Sequence, residues 1–411
     1  MKQVWIINHY AQEPGGPGGT RHHAMARHLA AYDWQAFIIA GSNELNTGRQ
    51  RLARSEPHRR EIREGVSFCW LRTTDHASLP GRLIGMLGFA LRVVTSSCLR
   101  DLPPPDVVIG SSVHPFAAWA GLRLARRYSV PFIFEVRDLW PQTLVDMGAA
   151  RDGSLAVRLL RWLERHLYRA AARIVVLMPR ADDYIVRLGI PRERVVWIPN
   201  GVDLSGPEPP PPQLHAAFTL MYFGAHGQAN GLDNILAAMA QLRGLDLARP
   251  VRLRLIGDGP LKPRLVEQAR RLGLENVAFE PSVPKAAIAG LAAEADAFVV
   301  SLIDLPLYRY GISLNKLFDY LAAGRPIVFA GASANDPVAE ARAGLSVPPG
   351  DPGALAEAIA RLVALPESER AEMGRNAYAY VKTHHDFRVL ARRLSDCLDA
   401  VVSERFVSDL R

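Results

Sequence analysis

Short apolar runs alternate along the chain with stretches in which apolar residues return every three or four positions. Runs of the first kind at 4–8, 36–40, 66–71, 107–110, 132–136, 174–177 and 195–198 predict strands. Helical spacing between them, as at 20–32, 117–128 and 155–172, predicts crossover helices. Apolar strands joined by helices imply a parallel sheet covered on both faces. Residues 48–64 are rich in arginine and lack an apolar period, which predicts an exposed loop. At 206–212 the chain reads GPEPPPP. Proline has no backbone donor and stiffens the chain, so a linker is predicted there. A second series follows, with strands predicted at 219–223, 252–256, 277–279, 297–301 and 327–330. The expected fold class is therefore α/β, with two Rossmann-like parallel-sheet domains. Such sheets bind ligands at strand carboxyl ends, so two of them facing across a cleft would share one site. A last helical stretch, 387–406, has no sheet partner of its own.

Composition agrees with two domains. The chain has 411 residues, 49% of them hydrophobic, enough for two large cores. Its three cysteines, Cys69, Cys98 and Cys397, form no C-x-x-C. Each is expected to be a small core hydrophobe, not a ligand or a disulfide partner, in a reducing cytosolic setting. The first residues, MKQVWIINHY, hold too short an apolar run for a signal peptide and read as the first strand. No apolar stretch reaches the length of a spanning helix. The formal net charge is +8, and residues 1–203 carry the excess, with 27 Lys and Arg against 18 Asp and Glu. Such asymmetry suits an anionic membrane surface or an acidic substrate, and equally a generic solvated arginine-rich surface. Nucleic acid is the weakest candidate, because no zinc-finger spacing, RNP-like strand or basic tail is present.

Four places combine polar chemistry with a predicted strand end or helix start. The segment GISLNKLFDYLAAGRPIV, 311–328, reads as loop, helix and buried strand. Lys316 and Asp319 are three apart near that helix's start, where unpaired N–H groups suit a phosphate and a carboxylate suits sugar hydroxyls. Ser313, Asn315 and Leu317 belong to the same phosphate-side turn. An ordinary α/β helix with a surface Lys–Asp pair has the same pattern. The loop Gly15-Gly16-Pro17-Gly18-Gly19-Thr20-Arg21 permits close backbone approach and adds a cation, but its spacing fits a dinucleotide fingerprint poorly; a plain flexible loop fits it too. His114 and Asp138 each follow a predicted strand, where a lone histidine is usually structural and Arg137–Asp138 also suits an ion pair. Gly257-Asp258-Gly259-Pro260 and Glu280-Pro281-Ser282-Val283 close two strands of the second series.

Taken in order, HYAQEPGGPGGTRH, EVRDLWPQT, IPNGVD, LIGDGP and LNKLFDYLAAGRP resemble the retaining glycosyltransferases of family 4, which have the GT-B fold. Bacterial surface-polysaccharide members of the L-fucosamine transferase type are most similar. The resemblance covers nearly the whole chain. It implies an acceptor-side domain at 1–203, a donor domain at 204–384 and a terminal helix, 385–411, that returns to the first domain. It also implies a UDP-sugar donor. Gly18, Gly19 and Arg21 would lie over its diphosphate, Gly257, Gly259 and Val283 near base and ribose, and Asp319 on ribose hydroxyls. His114 would stand beside the transferred sugar and Asp138 on the acceptor side, with Lys316 and helix amides on phosphate. Two departures matter. Gly311 stands where the family's first signature acid belongs, and residues 224–231 lack the usual Arg and Lys. Lys316 is the first expected substitute, followed by Arg21, Lys262 and Arg309.

The implied reaction moves a sugar, an N-acetylated (deoxy)hexosamine, with retention to a lipid-linked or glycan acceptor in cell-surface polysaccharide synthesis. No cofactor and no metal are expected, since no D-x-D ends a strand and no His/Cys cluster has metal spacing. A polyprenyl-diphosphate-linked acceptor would place the protein in the cytoplasm, peripheral to the inner face of the membrane. Arg49, Arg51, Arg54, Arg59, Arg60 and Arg63 are the candidate membrane contacts, beside the apolar helix 83–99, most of which is expected to pack the core. A sugar-nucleotide epimerase and a non-catalytic glycan-binding scaffold are the competing readings.

Overall fold

The computed structural model describes residues 1–15, 20–44, 50–74, 79–112, 114–211 and 216–409. They fall into two compact units, Met1–Pro199 with Phe387–Arg411, and Asn200–Asp386.

The first unit is built on eight strands: β1 Lys2–Ile7, β2 Trp34–Gly41, β3 His58–Arg63, β4 Val66–Leu71, β5 Val107–Ser111, β6 Phe132–Val136, β7 Arg173–Val176 and β8 Val195–Trp197. They lie in the order β3-β4-β2-β1-β5-β6-β7-β8, and only β3 is antiparallel to its neighbour. The chain steps outward from β1 in opposite directions. Right-handed crossovers therefore set α1 (Arg21–Leu29) on one face and α2 (Leu79–Thr95), α3 (Pro115–Arg127) and α4 (Leu155–Ala170) on the other. Helix α3 packs against both α2 and α4. It comes close because β5 offers Gly110 there: a Cβ would meet the Ala118 Cα at 2.7 Å. On the α1 face, Val4, Ile6, Ile38 and Ile109 share a core with Phe387, Leu390, Leu394 and Leu398 of the terminal helix, Phe387–Asp409.

The second unit has six parallel strands, β9 Phe218–Phe223, β10 Val251–Ile256, β11 Val277–Glu280, β12 Ala297–Ser301, β13 Ile327–Ala330 and β14 Gly344–Val347, in the order β11-β10-β9-β12-β13-β14. Side chains alternate between two cores, as a strand's period of two requires. Phe218, Leu220 and Tyr222 join α5 (Leu232–Gln241), α6 (Lys262–Arg271) and a later helix, Pro352–Ala364. Met221 and Phe223 join α7 (Asn315–Ala322) and the helix Glu367–His384.

Several expectations are corrected. Part of the expected loop at 48–64 is β3, an edge strand whose sequence HRREIR has a single apolar side chain, Ile62, and that one exposed. Charged edges of this kind deter pairing with other chains and leave no apolar signal. Cys69 and Cys98 are joined in a disulfide between β4 and the turn Ser97–Leu99, a proximity that sequence spacing does not show; Cys397 is free and buried. The division falls between Pro199 and Asn200, not at 203, because Asn200 N–H donates to Ser313 Oγ and Val202 N–H to the His385 carbonyl, both in the second unit. The proline run also belongs to that unit: buried Arg325 donates to the carbonyls of Pro210 and Pro211. Among the described residues no helix is long and apolar enough to cross a membrane.

Candidate active site

In the first unit, polar side chains gather at the carboxyl ends of β1, β5 and β6. Asn8 Nδ2 donates to Ser111 Oγ (2.9 Å), and Ser111 Oγ donates to Glu135 Oε2 (2.5 Å). His22 Nε2 stands 2.6 Å from the same oxygen, and Arg21 Nε donates to Glu135 Oε1 at 2.9 Å. Burial alone would raise Glu135, but Arg21 and His22 hold its carboxyl well below the usual range. Burial lowers His22, so a neutral ring donates its Nε2 proton to Glu135. The remaining Arg21 nitrogens donate to the carbonyls of Pro199 and Ile198. Every arm of this guanidinium is spent inside the fold. Arg21 is therefore an internal counter-ion and not the diphosphate cation expected from the sequence.

His114 caps α3: its Nδ1 accepts from Ala117 N–H, and its Nε2 lies 2.9 Å from His9 Nδ1. Burial pushes His114 down to about 3, so the ring is neutral. With Nδ1 accepting, the proton sits on Nε2 and is donated to His9. Asp138 follows β6 and is half-buried; burial pushes its carboxyl up while Arg137 opposes. Gly18 and Gly19 lie outside the described residues.

In the second unit, α7 begins at Asn315, and its cap position is Leu314, which offers no side-chain acceptor. Lys316 Nζ donates to Tyr222 Oη (3.1 Å) and to Asn230 Oδ1 and lies over the Tyr222 ring. Both partners are neutral, and burial pushes the Lys316 ammonium down to about 7. Asp319, one turn on, pairs with Lys285; burial pushes it up and Lys285 opposes. Gly257 and Gly259 serve loop packing, since a Cβ on them would meet the carbonyl oxygens of Gly224 at 2.0 Å and of His226 at 2.5 Å. Lys262 bridges the carbonyls of Gly257 and Glu280 and pairs with Asp258, so it is not a spare cation. Arg309 is exposed and lies over the Tyr310 ring. Buried His226 has no hydrogen-bond partner at either ring nitrogen among the described residues.

The structure thus gathers Asn315, Lys316 and Asp319 at one helix start and sets other expected contacts elsewhere. Leu317 is a core side chain, Ser313 is tied to Asn200 through its hydroxyl and carbonyl, and Val283 packs at the edge of a core. Sequence reasoning missed the roles of Asn8, Ser111, His22 and Glu135. The available signal was Glu135 itself, an ionisable residue inside the apolar run FIFEV. Among the described residues no group of three metal-binding side chains forms.

Residues 16–201 match the Glycosyl transferase 4-like domain, and residues 217–364 match Glycosyl transferases group 1. WbjE of Pseudomonas aeruginosa, named a probable glycosyltransferase, is 26% identical over 294 residues, 68% of this chain and 71% of that protein. WcaI of Escherichia coli strain K12, whose name places it in colanic acid biosynthesis, is 23% identical over 260 residues, 58% of this chain and 61% of its own. Sucrose-phosphate synthase from Thermosynechococcus elongatus has a similar structure, with TM-score 0.74 and 17% identity over 98% of this chain and all of the other. HepE of Anabaena, solved with UDP and glucose, gives 0.67 and 17% over 97% of this chain and all of its own. At these identities the solved structures speak for the fold. With both domain families matched in order along the chain, this protein belongs to the glycosyltransferases of the GT-B fold.

Proposed function

We propose that the protein transfers a sugar from a UDP-sugar to a lipid-linked glycan acceptor, with retention at the anomeric carbon, in the synthesis of a cell-surface polysaccharide. The observation that carries the reading is Lys316, a half-buried ammonium with neutral partners at an uncapped helix start. A buried charge without a counter-charge is costly, and a diphosphate would supply one. Helix amides and the dipole add to the attraction. HepE binds UDP and glucose, and WcaI is named for a polysaccharide pathway, which supports the donor and pathway assigned. An N-acetylated (deoxy)hexosamine is the proposed sugar.

In this scheme the Lys316 ammonium and the amides of Asn315 and Lys316 hold the diphosphate, and Asp319 accepts from the ribose hydroxyls. His226 offers its ring nitrogens to the donor. Asp138 binds the acceptor, and neutral His114, through its bond to His9, orients the sugar side of the site. The bond from anomeric carbon to diphosphate breaks, the acceptor oxygen bonds to that carbon, and the departing phosphate takes the acceptor proton. Catalysis then rests on charge stabilisation and alignment. The test is incubation with UDP-N-acetylhexosamines, alone and with a polyprenyl-diphosphate-linked acceptor, with the product's anomeric configuration read by NMR. Transfer with retention is expected. Epimerisation without acceptor, or acceptor binding without turnover, would replace the reading.

A further inference from the structure

Helices α2, α3 and α4 cover one face of the first sheet, with α3 in the middle. Their outer surface is unusually apolar. On α4, Leu155 is 81% exposed and Leu159 and Trp162 are each 62% exposed, four and three residues apart on one helical stripe. On α2, Ile84 is 63% exposed, and Leu83, Leu87 and Leu91 form a second exposed stripe. Trp119 of α3 is half-exposed. Large apolar side chains left in water in such numbers mark a surface that is covered in use.

The charge on the same layer has one sign. Helices α2 and α3 carry no carboxylate, and the single one on α4, Glu164, is buried. Arg82, Arg92, Arg123, Arg127, Arg158 and Arg165 are exposed among the apolar stripes. Asp152, just ahead of α4, is paired with Arg161. A second copy of this face would set arginine against arginine, which disfavours self-association. The arginines expected from the sequence to meet a membrane are differently placed. Arg51 pairs with Glu13 and Glu44, Arg59 with Glu56, Arg60 with Asp101, and Arg63 with Glu61 and Glu13. The charge of these four is largely answered within the fold; Arg54 is exposed, and Arg49 lies outside the described residues.

We propose that the α2–α3–α4 layer is a membrane-docking face that lies on anionic lipid. Apolar stripes ringed by cations match an interface in which leucine and tryptophan enter the headgroup–acyl boundary and guanidinium groups bind lipid phosphate. The attachment is peripheral, as the helices stay packed on their sheet. The inference rests on the lipid-linked acceptor for its purpose and on the surface alone for its physics.

Vesicle flotation with phosphatidylglycerol-containing and pure phosphatidylcholine vesicles tests it. The wild-type chain is expected to float with the anionic vesicles only, and less so as salt screens the arginines. Leu159→Ser with Trp162→Ser, and separately Arg158→Gln with Arg165→Gln, should each weaken partition by about tenfold or more. Arg59→Gln with Arg60→Gln should leave it unchanged. All these residues are exposed, and circular dichroism checks that each variant folds. Unchanged binding by the Leu159/Trp162 variant, equal binding to neutral vesicles, or no binding to anionic vesicles would overturn the proposal. So would a concentration-dependent dimer, seen in gel filtration, that Trp162→Ser dissolves. Transfer to a short-chain, water-soluble acceptor separates the two claims. Flotation without any transfer sinks the transferase reading and keeps the face, whereas transfer without flotation does the reverse.

Discussion

Lys316 links position to titration. Its ammonium is pushed down to about 7, so a diphosphate must bind a group that is losing its proton near neutrality. A UDP-sugar is a diphosphodiester with no proton of its own to lose there. Binding should therefore weaken above pH 7, approaching about tenfold per pH unit, and calorimetry in buffers of different ionisation heat should register proton uptake on binding. His226 is lowered from the ordinary histidine range, first by burial and then by Lys262, so it does not mimic this trend. Lys316→Met should bind weakly at every pH; a wild-type affinity flat from pH 7 to about 9 would end the assignment. For the free protein the sign is opposite. The folded-state value lies below the unfolded one, so the cost of the buried charge is full below pH 7 and fades as pH rises toward the unfolded value. Asp319 supplies a second test. If it exchanges Lys285 for ribose hydroxyls, Asp319→Ala should cost roughly 1–3 kcal/mol, about tenfold or more in UDP affinity. An unchanged affinity in a folded variant would leave Asp319 as the counter-ion of Lys285 alone.

At the scale of elements, α4 carries a buried acid. Burial pushes Glu164 up to about 8, against the pull of Tyr184 and Tyr168. A folded value above the unfolded one means stability that is full at low pH and lost as pH rises toward 8. Glu164→Gln keeps the shape without the ionisation. Thermal melts should show it stabilised by about 1–3 kcal/mol at pH 8 and little changed near pH 5. A variant that melts at the wild-type temperature at pH 8 would contradict this. Glu164 also shows what a sequence does and does not reveal. The central strands were legible, because runs such as VWII and VVIG are apolar on both faces. The edge strand β3 was not, since HRREIR has no buried face to write a period of two. Strand β14, GLSV, was too short to stand out. The helix start at Asn315–Asp319 was readable because its polar residues interrupt apolar surroundings. The internal bonds of Arg21 and Ser313 were not legible for a different reason. Their partners Glu135 and Asn200 lie 114 and 113 residues away, and local spacing carries no trace of them.

On the scale of the whole molecule, the transferase reading makes the phosphate charge the business of Lys316 and helix amides. Transfer should then survive EDTA, and activity lost to chelation and restored by Mg²⁺ or Mn²⁺ would overturn that view. The chain's path has another consequence. The terminal helix supplies one wall of the first unit's core, through Phe387, Leu390, Leu394 and Leu398. Protein synthesis delivers that wall last. While the ribosome makes residues 200–386, at roughly 5–20 residues per second, the first unit waits with its α1 face uncovered for about 10–40 s. The second unit, contiguous in the chain, has no such wait and can close first. Birth order and folding order are thus reversed, and the exposed face formed by Val4, Ile6 and Ile38 is a natural client for chaperones in that interval. Brief proteolysis of ribosome-stalled chains would show it: an arrest that exposes residues 1–386 should protect the second unit and not the first, and the first should become resistant only once Phe387–Asp409 has left the tunnel.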